Sequence, residues 1–226
     1  MSLYHKLCEH LRSIKNTLSF PIRIVITGNV AAGKTTLMNT LTHIFTDANY
    51  TVAEYPEFIA YDGGYEILQK RARGEVSVYE FQTFVIQCLD NEICEKEINI
   101  YERMPEDTCK VFCKYYYEIG KMTHDEYNTL TKQMNDMCVK HHLPRYTDGV
   151  LITLGEDLTE NVHTVIEALM KYRQQTLVFY IRTTPEVAIC RAKKRARSGE
   201  EELDIAYFKH VDKLYQSLFD EMSGSE

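Results

Sequence analysis

One stretch decides most of what this chain can fold into: Gly28-Asn29-Val30-Ala31-Ala32-Gly33-Lys34-Thr35-Thr36. Gly28 to Thr35 fill the pattern GxxxxGK[ST] completely. The stretch lies between a β-rich apolar run, Ile22-Arg23-Ile24-Val25-Ile26, and a helical pattern that starts near Lys34. The glycines let the backbone turn tightly enough for successive N–H groups to point inward at phosphate oxygens. The following helix adds the partial positive charge of its N-terminus. In such a loop Lys34 reaches the β- and γ-phosphates and the Thr35 hydroxyl ligates Mg²⁺. The reading is a chain that binds a nucleoside triphosphate, ATP, together with Mg²⁺.

The rest of the chain alternates strands with helices. Leu3, Leu7, Leu11, Ile14 and Leu18 recur at helical spacing, which predicts an N-terminal helix within residues 1–20. Strands are expected at 22–26, 50–54, 98–101, 150–154 and 177–181. Helical patterns fill about 63–100, 106–120, 123–140, 159–173 and 185–222. That alternation predicts an α/β fold, a P-loop kinase fold with a central parallel β-sheet flanked by helices on both faces. No repeat or Pro/Gly-rich linker divides residues 1–226, so a single domain is expected.

Composition narrows the partners. The net charge of −7 argues against binding long nucleic acid, and no apolar run approaches the roughly 18–20 residues of a membrane helix. Seven cysteines at scattered spacings do not form a disulfide framework. Without a signal-peptide pattern, a soluble, intracellular (cytoplasmic) protein is expected. Cys109 and Cys113 with His141 and His142 lack ligand spacing for zinc.

What receives the phosphoryl group must be read elsewhere. GTPase signatures DxxG and NKxD are not found in position. Instead the third strand ends in Glu102-Arg103, where open α/β sheets present ligand groups. Glu54 ends the second strand, with Glu57 three residues on. Arg191, Lys193, Lys194, Arg195 and Arg197 form a basic cluster followed by Glu200, Glu201 and Glu202. Beside a phosphate loop this cluster reads as a cationic lid at 190–204, neutralising moving charge and excluding water that would otherwise be the acceptor. Lys70, Arg71 and Arg73 read as a solvated helix end, with one of them able to approach the substrate.

In combination these motifs resemble the deoxyribonucleoside kinase family, which includes the herpesviral thymidine kinases. They are GNVAAGKTT at 28–36, FQTFV at 81–85, YERMP at 101–105 and RTTPEVAICRAKKRARSGEEELD at 182–204. The ERMP and RSGE details are closer to the herpesviral branch, and the loop and FQ segment to the cellular one. The resemblance implies transfer of the ATP γ-phosphate to the 5′-hydroxyl of a deoxynucleoside. It implies the general base at Glu54, favoured by its distance from Lys34, with Glu57 as the alternative. It assigns base recognition to Gln82, stacking to Phe112, Mg²⁺ to Glu102 and Thr35, and steadying of the transferred group to Arg103. Arg191, Arg195 and Arg197 would hold phosphates, and Glu200 or Glu201 the sugar 3′-hydroxyl. Counting along the family pattern puts Leu89 and Thr108 where cytosine- and purine-preferring members carry an Arg and an Asp. That favours a thymidine-like pyrimidine, with Asp107 one residue out of register.

The chain departs from the family in an extra segment, about 144–172, and in ending soon after Phe219. The expectation is that Val150–Leu154 takes a place at the sheet edge. Family members are homodimers through a helical face, so a homodimer is expected. The rival readings are a nucleoside monophosphate (thymidylate) kinase, which needs more basic residues near the acceptor than Arg103, and a nucleotide-binding protein without catalysis.

Overall fold

Strand β1 (Ile22–Gly28) occupies the centre of a five-stranded sheet, and its alternation explains the layered architecture. Ile22, Ile24 and Ile26 point to one face, and Val25 to the other. Neighbours on both sides repeat the pattern: β3 (Ile98–Glu102) sets Ile98 and Ile100 against Tyr101, and β5 (Thr176–Ile181) sets Leu177, Phe179 and Ile181 against Val178 and Tyr180. A strand apolar on both faces must be covered on both. Helices α1 (Leu3–Ile14), α2 (Lys34–Asp47) and α7 (Leu158–Tyr172) supply one core. The other comes from a π-helix (Thr108–Cys113), α6 (His124–Lys140), α8 (Pro185–Arg195) and α9 (Ile205–Ser223).

The structure is a computed structural model and describes residues 3–90, 94–172 and 175–223. The expected spans that include residues 1–2, 91–93, 173–174 and 224–226 run there outside the described residues. The sheet order is β2-β3-β1-β5-β4 and every pairing is parallel, with β2 at Val52–Tyr55 and β4 at Val150–Leu154. Strand β4 lies at the edge beside β5, in the register Val150↔Leu177 to Leu154↔Ile181. Among the described residues no helix is long and apolar enough to cross a membrane.

Three expected helical stretches are subdivided. The first becomes α3 (Gly64–Ala72) and α4 (Val78–Gln87), and Ser77 starts the second with a reciprocal capping box to Glu80. Residues 106–120 become the π-helix followed by α5 (Lys114–Glu118). The last stretch breaks after Arg195, where Ala196 adopts the left-handed conformation, and resumes at Ile205. The expected lid, 190–204, therefore comprises the end of α8 and the non-helical residues 196–204 that separate it from α9.

Candidate active site

The phosphate loop begins where β1 can no longer carry a side chain. At Gly28 φ is +142° and a Cβ would lie 2.7 Å from the Ile181 carbonyl oxygen, so only glycine fits. The chain then turns through Ala31 and Gly33, both at positive φ, into α2 at Lys34. Asn29 is buried and anchors the turn: its amide donates to the Phe208 carbonyl at 3.1 Å and its oxygen accepts from the Val30 N–H at 2.8 Å. The loop opens on a cavity of about 630 Å³.

A dense charge cluster sits at its floor. The Lys34 amine is buried, donates to the Asn29 carbonyl at 3.0 Å and lies 3.3 Å from Glu57. Arg103 donates from Nε to Glu57 at 2.8 Å and from Nη1 to the Gly28 carbonyl at 2.9 Å and the Tyr215 hydroxyl at 2.8 Å. Its guanidinium covers the Phe112 ring at 4.6 Å. Burial would raise the Glu57 carboxyl, but the Arg103 and Lys34 charges overturn that and hold it down at about 2. Burial, and then the Arg103 charge, lower the Lys34 amine; Glu57 and Glu102 oppose them. Glu102 is raised, by burial first and the Glu57 charge second, and it accepts from the Thr35 hydroxyl at 2.6 Å.

Elsewhere the cavity is different in kind. Gln82 is 3% exposed and lines it, and among the described residues no group hydrogen-bonds its amide. Leu89, Thr108 and Phe112 also line the cavity, Phe112 beneath the Arg103 guanidinium. Arg191, Arg195 and Arg197 reach the cavity from the lid side, with Arg191 on Glu156 at 3.2 Å and Arg197 on Glu200 at 3.2 Å. Glu200 also pairs with Arg195. Val30, Ala32 and Thr36 line the loop side.

The structure thus brings most of the expected residues to one cavity, but leaves Glu54 and Glu201 outside it. Glu54 is exposed on β2 and does not line the cavity, whereas Glu57 lies between Lys34 and Arg103. The reason is the two-residue period of the strand: Tyr55 turns inward to stack on Tyr101, so Glu54 must face away. Glu201 is exposed and accepts from the Gly199 N–H, so of the two lid acids only Glu200 lines the cavity. Asp107 is fully buried away from the cavity, accepting from the hydroxyls of Thr27, Tyr146 and Tyr215.

Of the three cations read as a solvated helix end, Arg71 is the one that lines the cavity, and Tyr207, which the sequence reading does not single out, joins it. Arg71 lies over the rings of Tyr116 at 5.2 Å and Phe81 at 5.8 Å, while Lys70 and Arg73 pair outward with Glu66 and Glu75. Tyr207 is 7% exposed and lines the cavity. Both carry a faint signal. Arg71 is three residues from buried Leu68, and Tyr207 starts the inward series Tyr207, Val211, Tyr215.

A sequence profile described as deoxynucleoside kinase matches residues 24–154, more than half of the chain. The chain belongs to the deoxynucleoside kinase family. The matched span contains the phosphate loop, Glu57, Gln82, Glu102 and Arg103, and it stops before the lid. Membership makes this a nucleotide-binding kinase that phosphorylates nucleosides. The solved structure of a deoxyadenosine kinase from M. mycoides with bound dATP superposes with a TM-score of 0.55 at 20% identity, over 88% of this chain and 85% of that one. That likeness concerns the fold. No curated relative matches the sequence significantly.

Proposed function

We propose that this family member transfers the γ-phosphate of Mg-ATP to the 5′-hydroxyl of a deoxyribonucleoside, with a pyrimidine such as thymidine preferred. The observation that carries the reading is Gln82, a buried amide with free donors and acceptor that shares one cavity with Lys34 and Glu57. Its amide makes no hydrogen bond among the described residues and opens onto the cavity, and a nucleobase edge offers both a donor and an acceptor.

The chemistry follows from the floor of the cavity. The loop N–H groups, Lys34 and the lid arginines hold the triphosphate of the donor. Glu57 accepts a hydrogen bond from the sugar 5′-hydroxyl and takes its proton as the oxygen bonds to the γ-phosphorus and the β–γ bridging bond breaks, releasing ADP. A carboxylate held near 2 is a weak base. In a loose phosphoryl-transfer transition state its main task is to align the hydroxyl, and the proton leaves late. Arg103, beside Glu57, neutralises charge on the transferring group. Thr35 and Glu102 are hard oxygen donors in contact at the start of α2, and they fit Mg²⁺ bound through few protein ligands plus phosphate oxygens. Bound there, the ion would neutralise charge on the β- and γ-phosphates.

Base preference rests on Leu89 and Thr108, uncharged lining residues at the positions where the family resemblance gives cytosine- and purine-preferring members a charged pair. A second reading has one observation in its favour. Arg71 is a half-buried cavity cation with no carboxylate partner among the described residues, so dTMP belongs among the acceptors tested. The test is ADP release from Mg-ATP with thymidine, deoxycytidine, deoxyadenosine, deoxyguanosine and dTMP, for the wild type, Glu57→Gln and Glu54→Gln. Turnover with nucleosides that survives Glu54→Gln but not Glu57→Gln supports the reading. Turnover with dTMP alone transfers the case to the monophosphate kinase, and silence throughout refutes catalysis.

A further inference from the structure

A buried polar cluster also lies outside the cavity. Asp107 is 0% exposed, and a lone carboxylate that deep would ordinarily be replaced by an apolar residue at no loss of stability. Here it is kept, with three hydroxyls donating to it. Thr27 comes from the end of β1, Tyr146 from the segment before β4, and Tyr215, itself 0% exposed, from α9. Neither Asp107 nor Tyr215 lines the cavity, so neither touches substrate directly.

The Tyr215 hydroxyl has two partners. It donates to Asp107 at 3.1 Å and accepts from Arg103 Nη1 at 2.8 Å. A hydroxyl that donates to an anion becomes a better acceptor, so the two hydrogen bonds strengthen one another. Arg103 needs that support more than most residues. Its φ is +88°, a conformation that side-chain-bearing residues rarely adopt, and its long side chain has many rotamers to lose. Glu57 and the Gly28 carbonyl fix two of its edges, but both belong to the working site, and Glu57 must also serve the acceptor hydroxyl. The Asp107–Tyr215 pair is the support that the reaction does not use.

We propose that Asp107 and Tyr215 are positioning residues: a buried relay that orients the Arg103 guanidinium toward the transferring phosphoryl group. The inference rests on the role given to Arg103 under the proposed function. It also gives the helix after the lid a direct hold on the reaction centre. The same helix accepts from Asn29 of the phosphate loop through the Phe208 carbonyl. Helix α9 thus touches both the loop that binds the donor and the arginine that acts on it.

The test uses the full chain with Tyr215→Phe, Asp107→Asn, Arg103→Lys and the double variant Arg103→Lys/Tyr215→Phe. Steady-state kinetics with Mg-ATP and the preferred nucleoside should show kcat about tenfold lower in Tyr215→Phe, as for loss of one hydrogen bond to a charged group, with both KM values within twofold. In the Arg103→Lys background the same change should do nothing further, because the relay then has no guanidinium to orient. Nitrogen-15 NMR of the arginine side chains supplies a reading independent of turnover. The slowly exchanging Arg103 guanidinium signals, assigned by their loss in Arg103→Lys, should broaden or vanish in Tyr215→Phe at a temperature well below its melting transition. Wild-type kcat with unchanged Arg103 signals in Tyr215→Phe overturns the proposal, and so does a full additional loss in the double variant. Should the wild type phosphorylate no nucleoside, the kinase reading falls and the NMR comparison alone decides the relay. Should Asp107→Asn fail to fold, Tyr215→Phe, which removes one oxygen, carries the test.

Discussion

Replacing Glu57 with glutamine tests the electrostatics of the site apart from its chemistry. The carboxylate is 15% exposed, 3.3 Å from Lys34 and 2.8 Å from Arg103 Nε, and its pKa is held down from 4.5 to about 2. At about 1.4 kcal/mol per pH unit, that depression corresponds to about 3 kcal/mol of stability at neutral pH. Part returns in the variant, because the Glu57 charge is the second cause that raises Glu102. A net loss of about 2 kcal/mol is therefore expected for Glu57→Gln at pH 7. The sign is fixed by the direction of the shift. A depressed carboxyl stabilises fully above its unfolded value near 4.5, and this contribution disappears as the pH falls through about 2. Urea unfolding at pH 7, 5.5 and 4 should thus show the gap between wild type and variant intact at 7 and 5.5 and narrowing at 4. Glu54→Gln, on an exposed carboxylate, should stay within about 0.5 kcal/mol of wild type throughout. A Glu57→Gln protein as stable as wild type at pH 7, or a gap that widens on acidification, would refute the reasoning.

Three further outcomes are expected. Gln82→Leu should raise KM for the nucleoside at least about tenfold and leave KM for Mg-ATP within twofold, read by steady-state kinetics. Glu102→Gln should raise the Mg²⁺ concentration for half-maximal rate severalfold, and chelation by EDTA should abolish turnover of the wild type. Gly199→Ala places a Cβ 2.7 Å from Leu68 Cγ at a φ of +96°, so the lid must shift off α3. A melting temperature lowered by a destabilisation of about 1–3 kcal/mol, with a raised KM for the nucleoside, is the expected signature.

The sheet and its phosphate loop were readable because they depend on local pattern. A β-rich run followed by glycines and a lysine has few other folds open to it, and the apolar run at Val150–Leu154 sufficed to place a strand. The roles of Glu54 and Glu57 were harder. Glu54 lies in the second strand and Glu57 just after it, and only the inward turn of Tyr55 onto Tyr101 decides which carboxylate faces Lys34. Arg71 was obscured by its neighbours: Lys70 and Arg73 are solvated, and one helical position of rotation puts Arg71 over Tyr116 instead. The Asp107 cluster had no local signature at all. Its partners come from 80, 39 and 108 residues away, and only the closed fold brings Thr27, Tyr146 and Tyr215 together.

The backbone of Arg103 also sets how this protein would respond to selection for heat resistance. A left-handed φ at a side-chain-bearing residue costs on the order of 1 kcal/mol or more, and glycine would relieve it. A library sorted only for survival at high temperature should therefore enrich substitutions at position 103, and those survivors should be inactive. Among the described side-chain-bearing residues Arg103 has the largest positive φ, and the proposed function puts it beside the reacting atoms. Its discomfort measures how much folding stability the chain forgoes to keep a working arginine there.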